Sequence, residues 1–221
     1  MKKILLTIFL GVLMSLTAEA KIHTEYVDYT VSGKTYSGYL AYVDQSAKKR
    51  PGILIIHEWW GLNDYPRKRA EQIAALGYVA FAADLYGKGI VAKTPQEAGQ
   101  MAGTLRNNLP EMRRIANEAL NVLKNSKFVD ASKTAVMGYC FGGGASLELA
   151  RSGADLKGVV SFHGNLNTKD PKDAKNIKAK VLILHGADDK NVPDEQIKAF
   201  EKEMNDANVD WQMNFYSHAV H

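Results

Sequence analysis

Short apolar runs alternate with amphipathic stretches along most of the chain. Seven runs have the length and β-branched or aromatic content of strands: Tyr36–Val43, Gly52–His57, Tyr78–Asp84, Thr134–Tyr139, Gly158–Phe162, Lys180–His185 and Trp211–Tyr216. Ile53–Ile56 and Val181–Leu184 are apolar without interruption, as strands covered on both faces of a parallel sheet require. Helical spacing fills the gaps at Pro66–Leu76 (closed by Gly77), Pro95–Arg106, Glu111–Asn125 and Asp194–Ala207, the last with Asp194 as its expected cap. Another helix is expected to start in the small residues from Gly142, and Lys21–Ser32 reads as an antiparallel edge strand with a turn. This alternation predicts an α/β fold: a mostly parallel central sheet flanked by helices in a three-layer sandwich. Repeats, low-complexity tracts and linkers are absent, so one domain is expected.

The first twenty residues stand apart from this pattern. Met1-Lys2-Lys3 carries positive charge, Ile4–Leu16 is nearly all apolar, and Ala18-Glu19-Ala20 has the form of a cleavage site. The apolar stretch is short for a bilayer, so residues 1–20 read as a cleaved signal peptide and 21–221 as the working domain. Export to the periplasm or the medium follows, with no stable membrane anchoring. The formal charge is +4 over 221 residues, and the longest basic stretch is Lys48-Lys49-Arg50. That balance offers no case for a nucleic-acid partner. Oligomeric state is not legible, and a monomer is the default.

Charge and size leave the chemistry open; a single thiol narrows it. Cys140 is the only cysteine, at the centre of Gly138-Tyr139-Cys140-Phe141-Gly142. A strand, a sharp turn bearing a nucleophile between glycines, and a helix form the nucleophile elbow, here with sulfur in place of the usual serine oxygen. The helix N-terminus behind the thiol is expected to lower its pKa. Downstream of the elbow, Asp188 and Asp189 follow the run Val181–Leu184, and His218 and His221 follow the last strand. Nucleophile, acid and histidine occur in the order this architecture uses, with the acid orienting the imidazole that takes the nucleophile's proton. His57-Glu58-Trp59-Trp60-Gly61 closes an earlier central strand, where a second backbone N–H for an oxyanion hole is normally found. Trp59 and Phe141 are therefore the expected oxyanion donors.

At these residues the chain resembles the dienelactone hydrolase family, from about Tyr36 to His221. Five segments carry the resemblance: His57–Gly61, Asp84–Lys88, Gly138–Gly143, Gly186–Pro193 and Tyr216–His221. It implies an α/β-hydrolase fold and hydrolysis of a small ester or lactone through an acyl-enzyme, with no cofactor. It also implies Asp189 over Asp188 as the acid, and His221 over His218 as the base. Glu58 falls where the family places a glutamate that assists deprotonation of the cysteine. Family members that cleave dienelactones hold the substrate carboxylate with arginines; Lys88 stands at one of those places, a cation without the bidentate fork. The other lies beyond His221, as does a final helix, so the C-terminal part of the domain is expected to be missing.

Trp60 and His163 complete the expected substrate-binding set. Like His185, His163 ends a strand on the side where a site would open. No paired-ligand spacing lies on one helix, so no metal is expected. Two readings compete with hydrolysis: a binding module that keeps the fold without turnover, and a thiol redox sensor based on Cys140.

Overall fold

The computed structural model describes residues 21–43 and 48–221; the leader expected at 1–20 lies outside them. Eight strands form one sheet in the order β1-β2-β4-β3-β5-β6-β7-β8. They are β1 (Ile22–Val31), β2 (Lys34–Val43), β3 (Arg50–Ile56), β4 (Val79–Ala83), β5 (Val129–Tyr139), β6 (Gly158–Phe162), β7 (Lys180–Gly186) and β8 (Trp211–Tyr216). The β1–β2 hairpin joins the sheet antiparallel through β2 and β4, and all pairings from β4 to β8 are parallel. This is the α/β-hydrolase arrangement.

Among the described residues five α-helices cover the sheet: α1 (Asp64–Ala75), α2 (Pro95–Asn107), α3 (Leu109–Asn125), α4 (Phe141–Arg151) and α5 (Asp194–Asp206). Side-chain caps start three of them, with Asn63 receiving Tyr65 N–H, Thr94 receiving Glu97 N–H and Asn108 receiving Glu111 N–H. Helix α5 differs from expectation: Pro193 is its cap, and Asp194 sits inside the first turn, where its charge still favours the positive end of the helix. Strand β5 also starts earlier than its apolar run, at Val129, because its pairing with β3 jumps from Asp130 to Thr134 between Pro51 and Gly52.

Burial is uneven across the two faces. Leu54, Ile55 and Ile56 of β3 and all five residues of β4 are fully buried. The apolar run Val181–Leu184 of β7 was expected to be covered on both faces, yet Val181 and Ile183 are buried while Leu182 and Leu184 are half-buried. Helices α3, α4 and α5 pack one continuous core against the face that carries Val181 and Ile183. The small cluster on the opposite face gathers around Ala70 and Ala74 of α1, which packs on β2, β4 and β3.

A buried ionic network ties the helical layer to the loop after β6. Arg151 is fully buried, donating to Glu203 at 2.7 and 2.8 Å, Glu148 at 3.0 Å and the Leu166 carbonyl at 3.0 Å. Arg113 donates to the same Glu148 at 2.6 Å, and Gln196 accepts from Leu166 N–H at 2.7 Å. Every charge in this network has a partner, so the loop from His163 to Thr168 is held from below.

Candidate active site

The site forms at the C-terminal ends of the parallel strands, and its centre is the turn from β5 into α4. Cys140 has φ 52° and ψ −114°, a left-handed conformation that a side-chain-bearing residue adopts only under constraint. The constraint is packing of bare backbone. A Cβ on Gly138 would stand 2.0 Å from Gly142 O, and one on Gly142 would stand 2.2 Å from Ile56 O. Cys140 N–H donates to Phe162 O at 3.0 Å, fastening the turn to β6.

Three distant segments converge on the sulfur. The Cys140 thiol lies 3.1 Å from His221 Nε2, and His221 Nδ1–H donates to Asp189 Oδ2 at 2.8 Å. The Asp189 carboxylate is buried, and its other oxygen accepts Asn191 N–H at 2.9 Å. The carboxylate thus fixes the imidazole tautomer, leaving Nε2 free to accept the thiol proton. Asp188 and His218 sit together outside this arrangement, with His218 almost fully exposed.

Both backbone N–H groups nominated as oxyanion donors, Phe141 and Trp59, lie close enough to the Cys140 sulfur to favour its thiolate, as does the nearby Arg106 guanidinium. Burial outweighs them, and the Glu58 carboxylate adds repulsion, so the thiol pKa is raised. That reverses the expected lowering: a helix N-terminus contributes a fraction of a charge, while removal from water penalises the whole thiolate. Burial raises the Glu58 pKa too, and its carboxyl lies 4.0 Å from His163 Nε2. As a fixed charge Glu58 therefore opposes the thiolate; only as a proton acceptor can it assist.

The loop that carries Trp59 is held by a residue the motif contains but the sequence reading left without a role. His57 is fully buried, with Nδ1–H donating to Glu58 O at 2.5 Å and Nε2 accepting Leu85 N–H at 3.2 Å. Tyr86 donates its hydroxyl to Trp59 O at 3.0 Å.

The open space at the sulfur measures about 420 Å³ and is lined by Trp59, Arg106, Cys140, Asn165, Asn191, Val192 and His221. A second hollow of about 240 Å³ shares Arg106 and Asn165 and is floored by Leu109, Met112, Phe141 and Ala145. Lys88 is in neither. It pairs with Asp28 at 2.5 Å and lines a separate groove beside β1 and β2. The cation at the thiol is instead Arg106, near the end of α2, stacked over the Phe141 ring and without a hydrogen bond or ion pair among the described residues. An arginine on an exposed helical turn carries no motif, and only helix packing brings it here. Trp60 packs edge-to-face on Trp59 and does not line the pocket. His163, with φ 41°, stacks edge-on against His221 at 4.8 Å. His185 is buried with Nδ1 unpartnered and faces Phe215. Burial lowers the pKa of both His163 and His185.

The model of the dienelactone hydrolase family matches residues 36–221. An Aquifex aeolicus protein provisionally named carboxymethylenebutenolidase is 26% identical over 200 residues, spanning 88% of this chain and 84% of its own. A solved structure named m3DLH is 39% identical with a TM-score of 0.88, covering 90% of this chain and 83% of that one. A dienelactone hydrolase-like promiscuous phosphotriesterase from metagenomic libraries is 38% identical with a TM-score of 0.87 and the same coverages.

Proposed function

We propose, from the premise that the chain belongs to the dienelactone hydrolase family, that Cys140, His221 and Asp189 are its catalytic triad and that it works through a thioester acyl-enzyme. The chain is a carboxylic ester or lactone hydrolase. In the proposed reaction the Cys140 thiol passes its proton to His221 Nε2 as sulfur attacks the carbonyl carbon. The Trp59 and Phe141 N–H groups receive the developing oxyanion. His221 returns the proton to the departing alkoxide, and for a lactone that hydroxyl stays tethered to the acyl chain. Water, deprotonated by the same imidazole, then splits the thioester, and the proton goes back to sulfur.

One observation carries this reading: a single imidazole bridges sulfur at 3.1 Å and a buried carboxylate at 2.8 Å. The raised thiol pKa supports proton transfer concerted with attack rather than a standing thiolate. Arg106, without an ion pair among the described residues and at the pocket wall, supports an acid group on the substrate, and the adjoining apolar hollow supports a hydrocarbon side chain beside it. The reading also includes export through the leader at 1–20, which fractionation of expressing cells and the intact mass of the exported protein would test.

The decisive comparison is wild type against Cys140→Ala with short aryl esters and small lactones, together with mass spectrometry of the quenched enzyme. An acyl adduct on Cys140 and loss of turnover in the variant are expected. Equal turnover by the two proteins would remove Cys140 from the reaction. Phosphotriesters belong in the same assay, because the 38% identical relative is named for that activity and the thiol with its two amides could meet a tetrahedral phosphorus in the same way.

A further inference from the structure

One cluster among the described residues brings three metal-ligating side chains together: Cys140, His163 and His221, whose donor atoms lie within 4.8 Å of one another. The proposed hydrolysis uses two of them and leaves His163 without a step. From this grouping we infer that the three side chains form a binding site for Zn²⁺, and that the bound ion reversibly switches off the hydrolase by occupying the nucleophile and its base. The inference rests on the hydrolase reading only for what is switched off; the metal site stands on its own donors.

The donor set is suited to that ion. One thiolate and two imidazoles are borderline-soft ligands, the combination that selects zinc over magnesium or calcium. Zinc at about 2.3 Å from sulfur and about 2.0 Å from nitrogen holds its donors about 3.3–3.6 Å apart. The Cys140–His221 pair is already at 3.1 Å. The widest separation in the cluster must close by about an ångström, within reach of small χ rotations of His163 and His221, neither of which is fully buried. The fourth position remains for water or for Glu58, whose carboxyl is 4.0 Å from His163 Nε2.

The surroundings already have the outer sphere of a zinc site. A ligating histidine normally donates its other N–H to a carboxylate, which orients the ring and strengthens the ligand. Asp189 does this for His221, turning Nε2 toward the sulfur. His163 is anchored at its backbone, where N–H donates to Leu184 O at 2.9 Å. The Arg106 guanidinium near the thiol opposes a metal ion. Glu58, Asp189 and the thiolate itself oppose it with three negative charges. Binding forms one Zn–S bond, and the displaced thiol proton leaves to solvent; nothing is oxidised.

The test uses the chelator-treated exported domain, with Co²⁺ as a visible stand-in and Zn²⁺ in calorimetry. One equivalent of Co²⁺ should give tetrahedral d–d bands and a sulfur-to-cobalt charge-transfer band, both removed by Zn²⁺, with the charge-transfer band absent in Cys140→Ser. His163→Gln and His163→Ala should each weaken Zn²⁺ by about tenfold or more, since even outer-sphere partners are worth about 10–100-fold. His218→Gln, outside the cluster, should leave the affinity unchanged. Unchanged Zn²⁺ affinity in both folded His163 variants, or no charge-transfer band in wild type, overturns the site. Zn²⁺ bound at full ester turnover overturns the switch while leaving the hydrolase reading intact. Zinc binding without any Cys140-dependent turnover overturns the hydrolase reading, and the switch with it, while the metal site stands.

Discussion

His57 should govern turnover without touching substrate. The Glu58 carbonyl and the Trp59 N–H belong to one planar peptide unit and point in opposite directions. His57 grips the carbonyl at 2.5 Å, so it also aims the Trp59 N–H, which the proposed reaction uses to receive the oxyanion. Its ring is fixed in turn by Leu85 N–H at 3.2 Å and by aromatic contact with Tyr86 and Phe141. Two substitutions separate these functions. In His57→Asn the amide nitrogen can stand where Nδ1 stood and keep the grip on Glu58. In His57→Gln the longer amide can reach Leu85 but loses that grip. Each leaves one buried backbone group without its partner, costing about 1–3 kcal/mol of stability. A full oxyanion donor is worth about 3 kcal/mol, or about 10²-fold in rate. We therefore expect kcat of His57→Gln to fall by about 10–100-fold with KM little changed, and His57→Asn to stay much closer to wild type. The assay is steady-state hydrolysis of an aryl ester alongside urea denaturation of each variant. If both variants lose kcat equally, in step with their stability, His57 only props the fold and the peptide-plane reasoning is wrong.

Four other outcomes follow from the same geometry. Because burial raises the Cys140 pKa, alkylation by iodoacetamide should accelerate with pH through and above the ordinary thiol range; a rate plateau below neutral pH would reveal a preformed thiolate instead. Asp189→Asn should keep the fold but reduce kcat by about 10⁴-fold, since the amide cannot hold His221 in the tautomer that accepts from sulfur, and thermal melting would check that the fold persists. Arg106→Gln should lower kcat/KM for a carboxylate-bearing ester about tenfold more than for its neutral counterpart, which parallel kinetics on the two esters would read. Arg151→Met strands Glu203 without a partner in the core and should cost about 3–5 kcal/mol in chemical denaturation, with much of it recovered when Glu203→Leu is added.

Much of the architecture is written in local pattern. Apolar runs such as Ile53–Ile56 and the capped helical stretches between them are short-range features, and strands β2 to β8 formed where such runs occur. The elbow is equally local: two glycines around Tyr139-Cys140-Phe141 announce a turn in which backbones must touch, and a Cβ at Gly138 or Gly142 would collide with that packing. The order Cys140, Asp189, His221 could be read along the chain because strand-end loops of one parallel sheet open on the same side.

Other features exist only once the sheet is assembled. Leu182 and Leu184 have the same apolar character as Val181 and Ile183, but α1 packs over β2, β4 and β3, so one face of β7 is left half-exposed. Lys88 kept its charge and its place after a strand, yet the nearest acid is Asp28 on the β1–β2 hairpin, which draws it to a different groove. Arg106 bears no spacing that marks it and reaches the thiol because α2 packs there, whereas His163, legible as a strand-end residue, meets the His221 ring only through the path of the loop after β6. The thiol pKa turned on the same distinction. A helix start can be read from residues 142–146, but the extent of burial around Cys140 depends on side chains supplied by separate segments of the chain. Periodicity and turn chemistry act over a few residues, whereas burial, charge pairing and pocket shape arise between segments far apart along the chain, and only the folded chain decides them.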